Sequence, residues 1–378
     1  MFGRIKQTIF WLKLRKIKKL LINLKEMRWQ ISKLDGTPLT TDIQKQMQSI
    51  IKKRRSTYLL KQRTAQSLSE NWQGFSKQPR DDLRFIENAI PVVLSGDNNY
   101  APFMAVMLQS LLDNSNPQRR YHFIIFESNF TKDSKDYLIM QLQKFPHCSI
   151  DFINTKNALK DIPFSLHNSK FSTDIFSRFF IPYWLCQYPK VIYCDSDMLA
   201  KEDIAKLYDL DIQDYCMGAV ANQWLTSVLN RQQYSSLVSF AVFSLLENWH
   251  SYINSGLLVF NTKKFKEKFP IDNLLKFSIF YTNHYRKIHP DQDILSLLFE
   301  NDYFVLPPEW NCCWTPTSKN NEPYYLSVKS NIKIIHFTSY VKPWKDLPET
   351  KNNSMAIAYK DYAKNVPLFN DLINSQKE

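Results

Sequence analysis

Two acidic residues separated by one serine, Asp195-Ser196-Asp197, follow directly on the apolar run Lys190-Val191-Ile192-Tyr193-Cys194. A buried strand that ends on two carboxylates holds like charges side by side, and they repel unless something neutralises them. A divalent cation does so, and hard carboxylate oxygens suit Mn2+ or Mg2+ held jointly with substrate phosphates. The competing reading is a solvated cap for the segment that follows. A second polar turn, Ser95-Gly96-Asp97-Asn98-Asn99-Tyr100, brings a carboxylate and two amides to the end of an earlier apolar run. It serves either ligand binding or capping of the next helix, because Asp and Asn cap helices well.

Composition removes several classes of chemistry. The chain has 378 residues, 44% hydrophobic and 14% aromatic, which builds a substantial core and excludes a disordered or fibrous protein. Its six glycines are too scattered to write a Gly-rich phosphate loop, so P-loop ATPases and Gly-loop dinucleotide enzymes are excluded. None of the six cysteines forms a C-x-x-C pair, which argues against a zinc site and for a reducing compartment. Adjacent Cys312 and Cys313 are expected as two reduced thiols, because a vicinal disulfide must meet demanding geometry.

The net charge of +13 is unevenly placed: residues 1–80 hold 19 Lys and Arg against 4 Asp and Glu, and the remainder holds 30 against 32. The basic character therefore belongs to a segment appended to a nearly neutral body. Within it, Phe10, Leu14, Ile17, Leu21 and Leu24 recur at helical spacing with lysines and arginines on the flanks. That is the layout of a helix lying on an anionic membrane surface, residues 1–34, with its cationic side chains reaching toward headgroups. A helix packed on the body or paired in an oligomer is the alternative. Nucleic-acid binding through the same charge is a further class, opposed by the neutral body and the lack of a reading module. No secretory segment or membrane span is evident, so a cytoplasmic location peripheral to the inner face of the plasma membrane is expected. The expected division is a basic helical extension over 1–85, a catalytic domain over 86–345 and a helical tail over 346–378.

From Ile90 onward, short runs rich in Val, Ile, Phe and Tyr alternate with helical patterns, the signature of an α/β domain with a mostly parallel, Rossmann-like sheet covered by helices. Strands are expected at 91–95, 122–127, 150–153, 191–194, 217–221, 257–261, 303–306 and 332–336. Helices are expected at 101–113, 132–144, 175–183, 237–249, 270–282 and 291–299. Ligands of such sheets bind beyond the carboxyl ends of the strands, where both polar turns fall.

Three further segments complete an ordered series: Asn254-Ser255-Gly256-Leu257-Leu258-Val259-Phe260-Asn261, His289-Pro290-Asp291-Gln292-Asp293-Ile294-Leu295, and His336-Phe337-Thr338-Ser339-Tyr340-Val341-Lys342-Pro343-Trp344. With Asp195 and Asp197 they resemble the motifs of glycosyltransferase family 8, above all its bacterial lipopolysaccharide galactosyltransferases and glucosyltransferases, over about Ile90 to Trp344. The resemblance implies a GT-A fold and retaining transfer of a hexose from UDP-galactose or UDP-glucose to a glycan or glycolipid acceptor, with Mn2+ as the metal. It makes Asp195, Asp197 and His336 the metal ligands; a lone histidine would more simply be one that ends a strand, but the aligned carboxylates favour the ligand. It places Asp97 and Asn99 at the nucleoside and Lys342 at the diphosphate, where the alternative for Lys342 is a solvated surface lysine. Arg178, Asn254, Asp291 and Gln292 match positions around the donor sugar and its phosphates; Asp291 is also suited to capping a helix. Gln292 would lie near the anomeric carbon, and an amide is a poor nucleophile, which favours front-face transfer over a covalent intermediate. Ser339 stands where those enzymes usually carry Gly, which bears on how closely the backbone approaches the diphosphate. Asn222 lies where a relative uses Asp toward the acceptor. Trp310 and Trp314 are either acceptor-stacking walls or buried core aromatics. A self-glucosylating, glycogenin-like enzyme of the same family is the alternative activity.

Overall fold

A computed structural model describes residues 83–160, 162–164, 166, 172–223, 225, 242, 245–246, 248–284, 289–300, 302–314, 331–339, 341–345, 347–351 and 353–375. The amphipathic segment around Phe10 to Leu24 and the helix expected at 237–249 lie wholly or mainly outside these residues.

The apolar runs form a seven-stranded sheet with β1 (Ala89–Gly96), β2 (Arg120–Glu127), β3 (Cys148–Asn154), β4 (Lys190–Asp195), β6 (Met217–Ala221), β7 (Ile253–Asn261) and β8 (Phe304–Val305). Their spatial order is β3-β2-β1-β4-β7-β6-β8. Strands β1 to β4 run parallel, whereas β7 is antiparallel to both β4 and β6. The order reverses direction between β1 and β4, which opens the crevice where ligands of α/β sheets sit. Because β7 is reversed, its first residues, not its last, join the carboxyl ends of β1 and β4 along that edge.

Side chains alternate between two cores. Ile90, Val92 and Leu94 of β1 and Ile192 and Cys194 of β4 enter one; Val93, Val191 and Tyr193 enter the other. The first core is covered by α1 (Ala101–Asp113), which carries Pro102 in its first turn and buries nearly every residue. The C-terminal helices α6 (Ser354–Ala363) and α7 (Pro367–Ser375) add Tyr359, Ala363 and Phe369 to it, with Val366 from the link between them, so the residues beyond the motif series pack into the same core. The second core is covered by Phe176, Phe179, Phe180 and Trp184, by α3 (Thr262–Lys268), α4 (Ile271–His284) and α5 (Pro290–Leu298). Helix α2 (Lys132–Gln141) follows β2, and its N-cap Thr131 accepts from the Ser134 amide.

Two details differ from the expected elements. The segment Thr173–Phe180 is a 3-10 helix that passes into a four-residue α-helix, Ile181–Trp184, rather than one continuous α-helix. A separate three-stranded sheet, β5-β10-β9, joins β5 (Met198–Ala200), β10 (Ile334–His336) and β9 (Cys312–Cys313), and neither β5 nor β9 was expected. β10 is antiparallel to β5, with His336 opposite Met198, and the Phe337 amide donates to the Asp197 carbonyl. This small sheet carries the far C-terminal histidine back to the carboxyl end of β4. Among the described residues no helix is long and apolar enough to cross a membrane.

Candidate active site

Asp195 ends β4, paired with Ser95 of β1, and one carboxylate oxygen accepts from Arg178 Nη2 at 3.0 Å and from the Tyr193 hydroxyl at 2.7 Å. Tyr193 and Asp195 lie two apart on a strand and so share a face. Arg178 comes from the 3-10 segment and is buried; its Nη1 donates to the Ser255 carbonyl at 2.7 Å and pairs with Asp291 at 3.0 Å. Its guanidinium also lies 4.4 Å from the centre of the Tyr193 ring. Burial opposes the charge on Arg178, but Asp195 and Asp291 outweigh it and hold the proton more firmly than an ordinary guanidinium does.

Asp197 sits two residues on. One oxygen is 3.2 Å from His336 Nε2 and the other accepts from Lys342 Nζ at 2.6 Å. Burial works against its ionisation, yet Lys342 and His336 prevail and keep this carboxyl well below the usual range. Asp195, Asp197 and His336 each offer one ligand atom, and these atoms lie within 4.8 Å of one another. The set fits a hard divalent cation: two carboxylates that would otherwise repel, with an imidazole nitrogen converging on them. Lys342 contacts Asp197 of the acid pair and is not a solvated surface lysine.

The slip in register between β6 and β7 pairs Ala219 with Leu258 but Val220 with Asn254, which leaves Ser255, Gly256 and Leu257 without partners on β6. Gly256 is required there for space: a Cβ would fall 2.2 Å from His336 Cε1 and 2.8 Å from an Asp195 oxygen. Ser255 binds the start of α5 twice, its hydroxyl donating to Asp291 at 2.8 Å and its amide to Gln292 Oε1 at 3.1 Å. Gln292 is buried, and among the described residues its Nε2 makes no well-formed hydrogen bond, although the Tyr252 hydroxyl lies near enough to accept weakly from it. A buried amide nitrogen whose donors are not fully used favours a ligand with an acceptor beside it. Asp293 is fully buried and accepts from the hydroxyls of Tyr252 and Tyr281 at 2.8 and 3.0 Å, which anchors the same turn. His289 occupies the N-cap position of α5, where burial drives its ring toward the neutral form.

The other sequence candidates are placed as follows. Asp97 caps the short 3-10 helix Asn98–Tyr100, accepting from the amides of Asn99 and Tyr100, and it also accepts from the Asn99 side chain at 3.3 Å. The Tyr100 ring is 42% exposed, yet the enclosure of its hydroxyl by the protein, with Asp197 and Asp195 nearby, pushes that hydroxyl up to about 12. Asn254 is turned inward: its oxygen accepts from the Gly256 amide and from Asn311 Nδ2, both at 2.9 Å, and its nitrogen faces Cys313 Sγ at 3.5 Å. Ser339 accepts from the Val341 amide, and its backbone lies outside the left-handed region, so no glycine is demanded at this position. Asn222 accepts from the Leu225 amide. Trp310 and Trp314 are buried, one under Lys333 and the other edge-on to Phe337; the core reading holds and the acceptor-wall reading does not. Cys312 and Cys313 are free thiols. Tyr193, Ser255 and Asn311 were not singled out in the sequence, although Tyr193 was visible by strand periodicity and Asn311 as a lone amide between Trp310 and Cys312.

The sequence profile described as Glycosyl transferase family 8 matches residues 91–347. The chain belongs to this family. The glycosyltransferase is 24% identical over 292 residues to general stress protein A of Bacillus subtilis, covering 75% of this chain and 97% of that one. It is 27% identical over 261 residues to a lipopolysaccharide 1,2-glucosyltransferase of Escherichia coli, covering 66% and 71%. Among solved structures, the bifunctional glycosyltransferase WbbM superimposes with a TM-score of 0.64 at 22% identity, over 78% of this chain and 52% of WbbM, about half its length. The galactosyltransferase LgtC, crystallised with donor and acceptor sugar analogues, gives 0.57 at 20% identity, over 73% and 96%. The glycosyltransferase thus has the GT-A-like architecture expected: a mostly parallel sheet flanked by helices.

Proposed function

We propose that this glycosyltransferase moves galactose or glucose from a UDP-sugar, with retention of anomeric configuration, onto a lipopolysaccharide or related cell-surface glycolipid at the inner face of the membrane. The observation that carries the reading is the convergence of Asp195, Asp197 and His336 at the carboxyl end of β4. The acceptor class is supported by the Escherichia coli relative, a lipopolysaccharide glucosyltransferase, and the hexose by that enzyme and by LgtC.

Asp195, Asp197 and His336 would hold Mn2+, or Mg2+, which when bound supplies positive charge to the departing diphosphate. Lys342 stands beside Asp197 with its ammonium available to the same phosphates, and preorganised charge aimed at a leaving group is commonly the largest catalytic contribution. Asp97, Asn99 and Tyr100 border the crevice at the end of β1 and would receive the nucleoside. Asp291, fixed by Arg178 and Ser255, lies beside Gln292 and would accept from a sugar hydroxyl.

The orientation of Gln292 bears on retention. Its Oε1, the atom that could attack an anomeric carbon, already accepts from the Ser255 amide, and Nε2 is the end with donor capacity to spare among the described residues. A backbone N–H can only donate, so this orientation is fixed. The amide would therefore bind the sugar as a donor, and the acceptor hydroxyl would attack from the face that UDP leaves. Its proton would pass to the departing phosphate oxygen. Asp195 and Asp291, both bound to Arg178, are poorly suited to act as the base.

A panel of UDP-sugars with Mn2+, following UDP release and the anomeric proton of the product, tests the reading. UDP-galactose or UDP-glucose turnover with an α-configured product, abolished by Asp197→Ala, is expected. Turnover that survives Asp197→Ala would refute the metal assignment.

A further inference from the structure

Behind the imidazole of His336 lies a chain of hydrogen bonds in which every role is fixed by a group that cannot reverse it. The Gly256 amide is a donor only, and it points at one side-chain atom of Asn254 at 2.9 Å, so that atom is the oxygen. The same oxygen meets a side-chain atom of Asn311 at 2.9 Å, which must then be the amide nitrogen. The remaining Asn311 atom is its oxygen, 2.9 Å from His336 Nδ1, so Nδ1 carries the hydrogen. Asn254, Asn311 and His336 are all buried, at 6%, 0% and 4% exposure, so water does not compete for these bonds. Gln223 locks the backbone on either side, donating to the Asn311 carbonyl at 2.7 Å and accepting from the Cys313 amide at 3.0 Å.

We propose that Asn311, oriented by Asn254, is a positioning residue that holds His336 in the tautomer protonated at Nδ1, so that Nε2 presents a lone pair to a divalent cation between Asp195 and Asp197. The inference rests on the metal reading above. With the opposite tautomer, Nε2–H would donate to Asp197 at the present 3.2 Å, and the imidazole would occupy the carboxylate instead of sharing a cation with it. The side chain of Asn311 thereby selects between a histidine that binds metal and one that excludes it. Partners of this kind behind a metal-binding histidine typically change affinity by about 10- to 100-fold when removed.

The test uses the full chain labelled with 15N-histidine. Long-range proton–nitrogen correlation, at a pH where the ring is neutral, is expected to show His336 protonated at Nδ1 in the wild type and shifted toward Nε2 in Asn311→Leu. Mn2+ affinity in the presence of UDP, read from the free-ion electron paramagnetic resonance signal, is expected to fall by about 10- to 100-fold in Asn311→Leu. Asn311→Asp, which keeps an oxygen to accept from Nδ1–H, is expected to restore the Nδ1 tautomer and the Mn2+ affinity that Asn311→Leu loses, a rescue by a conservative change. Melting temperature would drop in any disturbed core, whereas the tautomer and this rescue would not follow from mere destabilisation. An Nε2-protonated His336 in the wild type overturns the proposal, as does unchanged Mn2+ affinity in Asn311→Leu while the wild type binds. A wild type without Mn2+ affinity overturns the metal reading along with it. If Asn311→Leu does not fold, the wild-type spectrum alone decides.

Discussion

Gly256→Ala tests whether the His336 ring is seated where the chain places it. The added methyl would lie 2.2 Å from Cε1 and 2.8 Å from Nδ1 of His336, against an ordinary contact of 3.4 Å or more, so the ring must retreat by about 1.2 Å. The strand has little room to yield, because β7 is buried from Ile253 to Phe260, is paired on either side of the bulge, and has its Gly256 amide held by Asn254. Overpacking of this kind costs on the order of 1–3 kcal/mol, which most domains survive at 25 °C. The metal site is far less tolerant: ligand distances hold within about 0.2 Å, and a displacement near 1 Å costs on the order of 100-fold in rate. UDP release measured against Mn2+ concentration should show a weakened Mn2+ dependence and a turnover reduced about 100-fold. Gly218→Ala is the control, since its methyl would meet only Leu306 and Ile212, away from the acid pair; it should lower stability slightly and leave turnover intact. Wild-type turnover and Mn2+ dependence in Gly256→Ala would refute the placement of the ring.

Other perturbations probe the surroundings. Arg178→Met should lower the unfolding free energy by about 3–5 kcal/mol in a denaturant titration, because it strands Asp195 and Asp291 without their shared cation; a loss below about 1 kcal/mol would count against that role. His122, fully buried between the Tyr188 hydroxyl at 2.7 Å and Asp151 at 2.9 Å, has its proton affinity lowered by burial despite Asp151. The unfolded chain therefore binds the extra proton first, and stability should fall as pH drops below about 6.5 toward the folded value, with a slope of at most about 1.4 kcal/mol per pH unit. His122→Phe should flatten that slope in urea titrations at several pH values, and an unchanged slope would place its origin elsewhere. Deletion of residues 1–34 should abolish flotation with vesicles rich in anionic lipid, since each Lys or Arg near such a surface contributes about 1 kcal/mol. Unchanged flotation would remove the membrane role.

How far the sequence foretold this arrangement depended on the length of each element. Strands such as β1, β2 and β4 are runs of four or more apolar residues with clear ends, and they appear within a few residues of where periodicity puts them. β5 and β9 have three and two residues, too few for any period to show, yet they bring His336 to Asp197 across the chain. The segment at 173–180 reads as an α-helix because 3-10 and α spacing share the i, i+3 contact, and its apolar face is the same in either form. Trp310 and Trp314 invited a reading as sugar-stacking walls because they stand in an irregular stretch. The structure folds that stretch inward, one ring under Lys333 and the other against Phe337. Motif residues were legible as a set, but their division of labour was not. Nothing in Asn254-Ser255-Gly256 says that the asparagine faces away from the crevice toward Asn311 while the serine reaches α5.

The charges at the site explain why so much of it is held rigidly. Asp195, Asp197 and Asp291 are joined by ion pairs to Arg178 and Lys342, three negative groups to two positive, so the connected cluster keeps one net negative charge. One surplus charge is enough to attract a dication and too little to drive the cluster apart by repulsion, whereas three uncompensated carboxylates at this spacing would raise one another's proton affinity and bind protons instead. Arg178 is the fixed half of that balance: buried, with four bonds, and touching Asp195 and Asp291 together. Lys342 is the adjustable half, a flexible side chain from the stretch after β10 that meets Asp197 and the Phe337 carbonyl. Exchanging the two residue types would leave the net charge unchanged and still impair the site. A lysine at 178 cannot bridge two carboxylates and a carbonyl with one planar fork, and an arginine at 342 would grip Asp197 in a two-pronged pair that resists release to phosphate. The double exchange Arg178→Lys with Lys342→Arg should therefore lose most UDP-sugar turnover despite its conserved charge, and full activity in that variant would mean that net charge alone governs the cluster.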